Sequence, residues 1–575
     1  MLRYFVFCFL CVLLTAPFVY ATVELQINGL SGELKKNVQA SLSTITTNKI
    51  SFDGRFQARM RTAIRRGLRA LGYYNPTINF NLKQEPKCLT LVINVIAGTP
   101  IRIAGINIRL RGMAKDDSVY QILVSKEAPK INSILNHGIF DNFTHSLSML
   151  ALHRGYFDAN IIKKQLGVSQ QRYQAFWDID FNSRQRYRFG YLLFQGSQIR
   201  KDYLQNLMPF HEGDYYDSDD LAELNHRLIA TNWFNSVIVS PNFTKSNISK
   251  ILPLNILVTP KTKNTIKIGG GYATNMGPRV KTSWYKPWVN SRGHSLTTNI
   301  NISASKQSLY FSYRIPLLRD LLKHYYLLQS GFKRINQNNT KLDISTLNVA
   351  RFWNSSNGWQ RAINLGWSLE RYTEGQIIYT TILLCPGINI NRIRQRNSIM
   401  PTWGDSQRYS FNISNRLWGS DLNFSIIQAQ HVWIRTVGKK NRFIIRGNLG
   451  WIETNNFNLM PLSLRFFAGG DRSIRGYKYN SISPRDNKGK LIGAAKLVTT
   501  SIEYQYNIMN KWWGAAFIDT GEAVNNIRRN NFKTGAGIGI RWISLIGPAR
   551  FDFALPISNK KIKHMQFYIS LGSEL

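Results

Sequence analysis

From about Asn264 to the C-terminus, apolar and polar residues alternate singly. Within 360–372, Ile363, Leu365, Trp367 and Leu369 fall on one face and Asn364, Gly366, Ser368 and Glu370 on the other. Phe443, Ile445, Leu449 and Trp451 repeat this against Arg446 and Asn448, and Tyr409, Phe411 and Ile413 against Ser410, Asn412 and Ser414. A period of two is the mark of a strand. Apolar-out, polar-in strands of roughly ten residues, bounded by Gly, Asn and Pro, predict a membrane barrel, and about sixteen candidates fit between Ile266 and the end, an even number as bacterial barrels require. A soluble sandwich would carry a polar exposed face. Trp284, Trp288, Trp353, Trp359, Trp418, Trp433 and Trp512 stand at strand ends, where interfacial aromatic girdles lie. Beyond the first residues no apolar run approaches the ~20 that a spanning helix needs. Membrane entry is therefore expected through a closed barrel, since lipid cannot satisfy a strand's free backbone groups.

The N-terminal half has a helical rhythm and an internal repeat of roughly 80 residues. Each copy closes a helix with an aromatic pair: Leu71-Gly-Tyr73-Tyr74-Asn75 after Arg59 to Ala70, Arg154-Gly-Tyr156-Phe157-Asp158 after Phe143 to His153, and Thr231-Asn-Trp233-Phe234-Asn235 after Leu221 to Ala230. Gly72, Gly155 and Asn232 occupy the position where a helix end needs a left-handed residue. The pairs are expected to be core anchors. Alternating segments follow at Thr77 to Leu82, Ala159 to Leu166 and Ser236 to Pro241, with a further strand in each copy and an opening strand that runs into Gly29, Gly112 or Gly196. This β-α-α-β-β order resembles the polypeptide-transport-associated (POTRA) domain. The expected organisation is α+β repeats at 22–98, 99–184 and 185–263, followed by an all-β barrel of about sixteen antiparallel strands at 264–575. A small mixed sheet with an open edge can accept an extended client strand by main-chain pairing.

Residues 1–21 read as a secretory signal peptide: Arg3, an apolar run from Tyr4 to Thr15, then Val19-Tyr20-Ala21. Removing it would take Cys8 and Cys11 and leave Cys88 and Cys385, which fall in different domains, so a structural disulfide is not expected. The formal net charge of +42 raises nucleic-acid binding as a class. The basic residues are spread through every segment, as in Arg65-Arg66 and Lys439-Lys440, with no nucleic-acid motif beside them. They read as solvated faces or as attraction to anionic head groups or acidic partners. There is no paired-histidine metalloprotease motif, phosphate loop or Cys-rich metal spacing. Neither an enzyme nor a resident cofactor or metal is expected.

The densest motif is Arg465-Phe-Phe-Ala-Gly-Gly-Asp-Arg-Ser-Ile-Arg-Gly-Tyr477. Its Ile474-Arg475-Gly476-Tyr477 core, with Phe517-Ile-Asp519-Thr-Gly521, Gly535-Ala-Gly537-Ile-Gly539-Ile-Arg541-Trp and Phe551-Asp552-Phe553 downstream, resembles the BamA/TamA outer-membrane assembly superfamily. The resemblance implies a long extracellular loop folded back into the barrel, with the loop arginine meeting an acidic strand residue. If Phe517, Asp519 and Gly521 face inward, Arg475 can reach Asp519. Gly535, Gly537, Gly539 and Arg541 share one parity, and the three missing side chains would form a groove in which loop backbone lies close.

At the two ends of the barrel, Gly269, Gly270 and Gly271 mark a weak first strand (Ile266 to Thr274), and Gly572 weakens a last strand whose lipid face is Phe567, Ile569 and Leu571. That seam is expected to open and template client strands. Passages such as Gly293-His-Ser-Leu-Thr-Thr298 and Met400-Pro-Thr-Trp-Gly-Asp-Ser-Gln-Arg-Tyr409, with three repeats rather than five, resemble the TamA branch of the superfamily. The resemblance implies autotransporter-type clients, a TamB-like partner engaged through the first repeat, outer-membrane lipid around the barrel and no nucleic acid. Two-partner secretion exporters share the loop motif but normally have two POTRA domains and a plug helix. A passive pore would need an open lumen and no repeats.

Overall fold

The computed structural model describes residues 23–571 except 44, 46–53, 86–87, 246–249, 274–276, 305, 338–339, 375–376, 398–399, 488, 527–531, 545–546 and 559–564. The signal segment with Cys8 and Cys11, Thr274 and Gly572 lie outside the described residues, as do the side chains of Cys88 and Leu571. Cys385 is a free thiol.

The first repeat comprises β1 (Val23–Asn28), helices Gly32–Leu42 and Gly54–Ala70, β2 (Thr77–Glu85) and β3 (Cys88–Ile96). The sheet order is β1-β3-β2, with β1 parallel and β2 antiparallel to β3. Phe56, Met60, Ile64 and Leu68 recur four apart, so one stripe of the second helix is buried against the sheet. The second repeat has β4 (Arg102–Arg111), helices Ser118–Glu127 and His137–His153, β5 (Asn160–Ser169) and β6 (Gln174–Asn182) in the order β4-β6-β5. The third has β7 (Arg188–Gln195), helices Lys201–Gln205 and Ser218–Ala230, β8 (Phe234–Pro241) and β9 (Ile251–Pro260) in the order β7-β9-β8.

The second helix of each repeat begins at Gly54, His137 and Ser218, ahead of the spans read from the sequence. Phe56 and Phe140 carry the buried stripe into the first turn of two of them, and side-chain caps fix the starts at His137 and Ser218. Asn136 accepts from the Gly138 amide at 2.9 Å, and Asp217 from the Asp219 amide at 3.0 Å.

The aromatic pairs do more than anchor each core, which corrects the expectation. One member of each reaches the next module. Tyr74 bonds His137 Nε2 at 2.8 Å, Phe157 packs edge-on against Tyr187, Tyr216 and Phe243, and Trp233 donates Nε1–H to the Gly293 carbonyl at 3.0 Å. Beside each pair a carbonyl accepts from the incoming chain at 2.9 Å: Gly72 from Ile101, Gly155 from Tyr187, Trp233 from Lys261. Gly72, Gly155 and Asn232 have φ of 88°, 79° and 60°, the left-handed conformation that turns the chain out of the helix.

The second half is one sixteen-stranded sheet in sequential order. Its strands are β10 (Thr265–Ala273), β11 (Gly277–Lys286), β12 (Ser295–Ser303), β13 (Lys306–Pro316), β14 (His324–Gln337), β15 (Thr340–Asn354), β16 (Trp359–Glu374) and β17 (Ile377–Arg396). They continue with β18 (Trp403–Ser414), β19 (Phe424–Val437), β20 (Asn441–Thr454), β21 (Lys496–Met509), β22 (Trp512–Val524), β23 (Lys533–Ser544), β24 (Gly547–Pro556) and β25 (Gln566–Leu571). Every neighbour is antiparallel. One correction concerns length: β17 has 20 residues and β25 only 6. At about 3.4 Å per residue and a tilt near 40°, twenty residues rise ~50 Å, twice the ~25 Å apolar band. Apolar alternation registers only the lipid-facing middle of such a strand.

Residues 455–487 and 489–495, between β20 and β21, fold against the inner face of this sheet. Phe466, Ala468, Ile474 and Tyr477 form a buried cluster with Leu383, Phe424, Ile426 and Ile452. The opposite parity, Ile427 and Trp451, is exposed and faces outward. Among the described residues no helix is long and apolar enough to cross a membrane.

Candidate functional site

Four adjacent strands build the site. Register places Ser501 opposite Asp519, Glu503 opposite Phe517, Asp519 opposite Gly535, Phe517 opposite Gly537, and Gly539 opposite Asp552. Because side chains alternate, all of these share the inner face of β21–β24. That face therefore carries three carboxylates and a row of three glycines.

Arg475, at the tip of the inward loop, enters this face and is 1% exposed. Its guanidinium forks onto Asp519, Nε to Oδ2 at 2.7 Å and an η nitrogen to Oδ1 at 2.9 Å, while its backbone N–H donates to Oδ2 at 2.9 Å. Another η nitrogen donates to Glu503 Oε2 at 2.7 Å and lies 3.4 Å from Asp552 Oδ2. The guanidinium carbon stands 3.4 Å from the Phe517 ring centre, a cation–π contact. Arg541 closes the far side, donating to Glu503 Oε1 at 2.7 Å and Asp552 Oδ1 at 2.6 Å, and Arg446 lies 3.7 Å from Glu503. Three cations thus meet three carboxylates. Buried charges persist only when paired and hydrogen-bonded, and removing one partner typically costs ~3–5 kcal/mol.

The glycines make the space. A Cβ built on Gly535 would fall on the Arg475 carbonyl oxygen, one on Gly537 would lie 2.6 Å from the Phe517 ring, and one on Gly539 2.7 Å from an Arg541 η nitrogen. Gly476, with φ of 97°, passes so close to β24 that a Cβ would meet the Leu555 carbonyl carbon at 2.8 Å. Gly521 sits against the Val498 carbonyl at the outer end of β22. The structure thus brings Arg475, Gly476, Tyr477, Phe517, Asp519, Gly535, Gly537, Gly539 and Arg541 together, with Gly521 at the margin.

The last strand reaches the same loop. Tyr568 Oη accepts from the Gly476 amide at 3.1 Å and donates to the Tyr477 carbonyl at 2.7 Å. Sequence reasoning missed Tyr568, Glu503 and Asp552 as loop contacts and Arg446 as a neighbour of Glu503. The parity of Glu503 within Ser501-Ile-Glu503-Tyr-Gln505 was a usable signal, since a carboxylate among inward positions needs a cation. Nothing local marked Tyr568.

Of the seam residues, Phe567 and Ile569 flank Tyr568 on β25 but carry the opposite, exposed parity, and Gly269, Gly270 and Gly271 lie on β10. β10 pairs with β11 through Gly269, Gly270 and Gly271, and β25 pairs with β24 over six positions, from Gln566 to Leu571. Among the described residues the sheet order joins neither end strand to the other. Ile268, Phe567 and Ile569 are exposed, and a Cβ on Gly269 or Gly270 would meet nothing.

Among the described residues one trio has metal-ligand spacing, His153, Asp217 and Asp219 in the repeats. Asp217 is occupied there: it caps the Ser218–Ala230 helix and lies 3.5 Å from Arg154. Nearby, burial and Asp117 push the Tyr156 hydroxyl up to about 12, so it donates to Asp117 at 3.0 Å.

Sequence comparison places these features in a family. Residues 261–575 match the Omp85 superfamily domain, 24–97 the POTRA domain described as TamA domain 1, and 187–268 the POTRA description "surface antigen variable number repeat". The outer membrane protein assembly factor BamA of Nitratidesulfovibrio vulgaris is 24% identical over 405 residues, 65% of this chain and 49% of the relative. BamA of Neisseria meningitidis is 24% identical over 220 residues, 32% of this chain and 27% of the relative. The chain thus spans half or less of the curated relatives it matches. The crystal structure of BamA from Haemophilus ducreyi lacking POTRA domains 1–3 superposes with a TM-score of 0.71 at 16% identity, covering 81% of this chain and 99% of that one. The family domain takes in more than half of the residues, and the chain belongs to the Omp85 superfamily of outer-membrane β-barrels with periplasmic POTRA domains.

Proposed function

We propose that this protein is an outer-membrane assembly and translocation factor of the TamA type. It inserts or secretes autotransporter-type clients by templating their strands on the seam between β10 and β25. The observation that carries this reading is the contrast within one sheet: each end strand is paired on one side only among the described residues, while β21–β24 are tied through the loop. An exposed strand edge offers unpaired N–H and C=O groups to an incoming strand, and main-chain pairing accepts many sequences. Arg475, Asp519, Glu503, Asp552 and Arg541 act in this reading as the loop's dock, holding the fixed side of the barrel. The match of 24–97 to the first TamA POTRA domain supports a TamB-like partner at the first repeat. The repeats and the loop-filled inner face argue against a passive pore.

The test is a cysteine scan across the seam, pairing Gly270→Cys with Ile569→Cys and adjacent positions, in membranes expressing an autotransporter client. A formed crosslink should abolish client assembly, and reduction should restore it. Assembly indifferent to an efficient crosslink would remove the seam from the mechanism.

A further inference from the structure

At the end of the barrel that joins the third repeat, the outward face of β15–β19 holds an array of arginines and tryptophans. Register sets Trp353 opposite Arg361, Trp359 opposite Arg392, Arg394 opposite Asp405, Arg396 opposite Trp403, and Trp403 opposite Arg435. These positions share the parity of Ile363, Ile388, Phe411 and Ile427, which are exposed, and not that of Ile426 and Ile452, which pack on the loop inside. They therefore face lipid. They also lie where strands meet the periplasmic side, because β10 leaves the third repeat at that end and the strands alternate in direction.

The charges on this face do not balance. Three guanidinium carbons surround the Trp403 indole, Arg435 at 4.8 Å, Arg394 at 5.3 Å and Arg396 at 5.6 Å from its centre. Two of them share one carboxylate, Asp405, bonded to Arg394 at 2.8 Å and 4.0 Å from Arg435. Two further cations extend the array, Arg392 at 5.2 Å from the Trp359 centre and Arg351 at 5.1 Å from that of Trp353. Among the described residues Arg351, Arg392 and Arg396 form no ion pair. Buried polar atoms on the same face, Arg392 Nε, Gln407 Oε1 and His431 Nδ1, have no hydrogen-bond partner among the described residues.

Aromatic faces repay part of the cost of gathering like charges and hold the guanidinium planes in place. The remaining countercharge has to come from outside the chain. At the membrane–water boundary the available anion is a lipid phosphate, which suits the two-pronged arginine fork. Indole and acyl chain then share the apolar side.

We infer that this face is a binding site for the phosphate of an anionic phospholipid in the periplasmic leaflet, with Arg396 and Arg392 as the free ligands and Trp403 and Trp359 as their platforms. The site goes beyond the seam reading and does not depend on it.

The test uses the full chain, delipidated in detergent and titrated with phosphatidylglycerol or phosphatidylcholine under native mass spectrometry. Phosphatidylglycerol should remain bound in preference to phosphatidylcholine, and Arg392→Gln with Arg396→Gln should weaken retention about tenfold or more, as expected from the contribution of each basic residue near anionic lipid. Neither substitution strands a carboxylate, and the heat-dependent gel shift of the barrel verifies folding. If the double variant does not fold, Arg396→Gln alone carries the test. A control with the same charge change in the repeats, Arg59→Gln with Arg65→Gln, should retain the lipid. Equal retention by the array variant, an equal loss in the control, or displacement of the lipid by millimolar inorganic phosphate would overturn the assignment, the last by making it a site for a free anion.

Discussion

Two stretches of one sheet use glycine for opposite ends. On β23 the missing side chain of Gly535 is a receptacle: the Arg475 carbonyl occupies the space a Cβ would need, and the charges around it are matched three against three. On β10 a Cβ at Gly269 or Gly270 would meet nothing, and the strand gains neither packing nor a second partner among the described residues. Glycine in a strand costs conformational entropy and forgoes side-chain packing, a loss offset only where another group fills its place. In the proposed function the wall with filled glycines is the rigid one and the end strand with open glycines the weak one, within one architecture.

The largest expected effect comes from breaking the rigid wall. Arg475→Ala should leave Asp519, Glu503 and Asp552 short of a cation and cost about 3–5 kcal/mol. Limited proteolysis should then cut within 455–495, whereas the parent chain resists; equal resistance would mean that the ion pairs do not hold the loop. Next comes the glycine contrast itself. Gly535→Ala should destabilise by about 1–3 kcal/mol through overpacking. Gly269→Ala should be neutral or stabilise by up to about 1 kcal/mol. Comparing the midpoints of the heat-induced gel shift separates the two, and a matching loss in both would erase the distinction.

A smaller effect is expected where the walls communicate. Tyr568→Phe removes two hydrogen bonds between β25 and the loop, about 1–2 kcal/mol in total. Cysteine labelling at Ile569→Cys should speed up in that variant while labelling at Ala515→Cys on β22 does not change. The smallest effect lies outside both walls. Burial and the neighbouring Arg69 hold the His137 imidazole below its ordinary range. The unfolded chain therefore binds the proton more readily, and the stability this group contributes is present above about pH 6.5 and lost as pH falls through the lower folded value. Acidification to pH 5 should loosen the junction made by Tyr74 and His137, seen as proteolysis between the first two repeats, without changing the comparison in the barrel.

Much of this was legible in the chain, for physical reasons. Single alternation in 360–372 is readable because lipid on one side and water or loop on the other impose period two. Arg475 and Asp519 were legible as a pair because the loop motif resembles one whose arginine meets an acidic strand residue, and the parity of Phe517, Asp519 and Gly521 is consistent with an inward Asp519. Glu503, Asp552 and Arg446 became partners only once register was known, since cross-strand neighbours are set by turns and not by local composition. Tyr568 lies far along the chain from the loop it touches. The reach of Tyr74, Phe157 and Trp233 into the next module was hidden because an aromatic residue after a helix looks the same whether it fills its own core or its neighbour's. The full extent of β17 escaped because its ends pass beyond the apolar band.

The most direct test of the account is residue-resolved hydrogen exchange of the barrel in a lipid bilayer, comparing the amides of β25 with those of β22. The account predicts that 566–571 exchange at least an order of magnitude faster than 515–521, and that Arg475→Ala narrows the gap by raising exchange on β22 while leaving β25 fast. Equal protection of the two strands in the parent chain would contradict it, because a seam as firmly held as the clamped wall could not serve as the edge on which client strands are built.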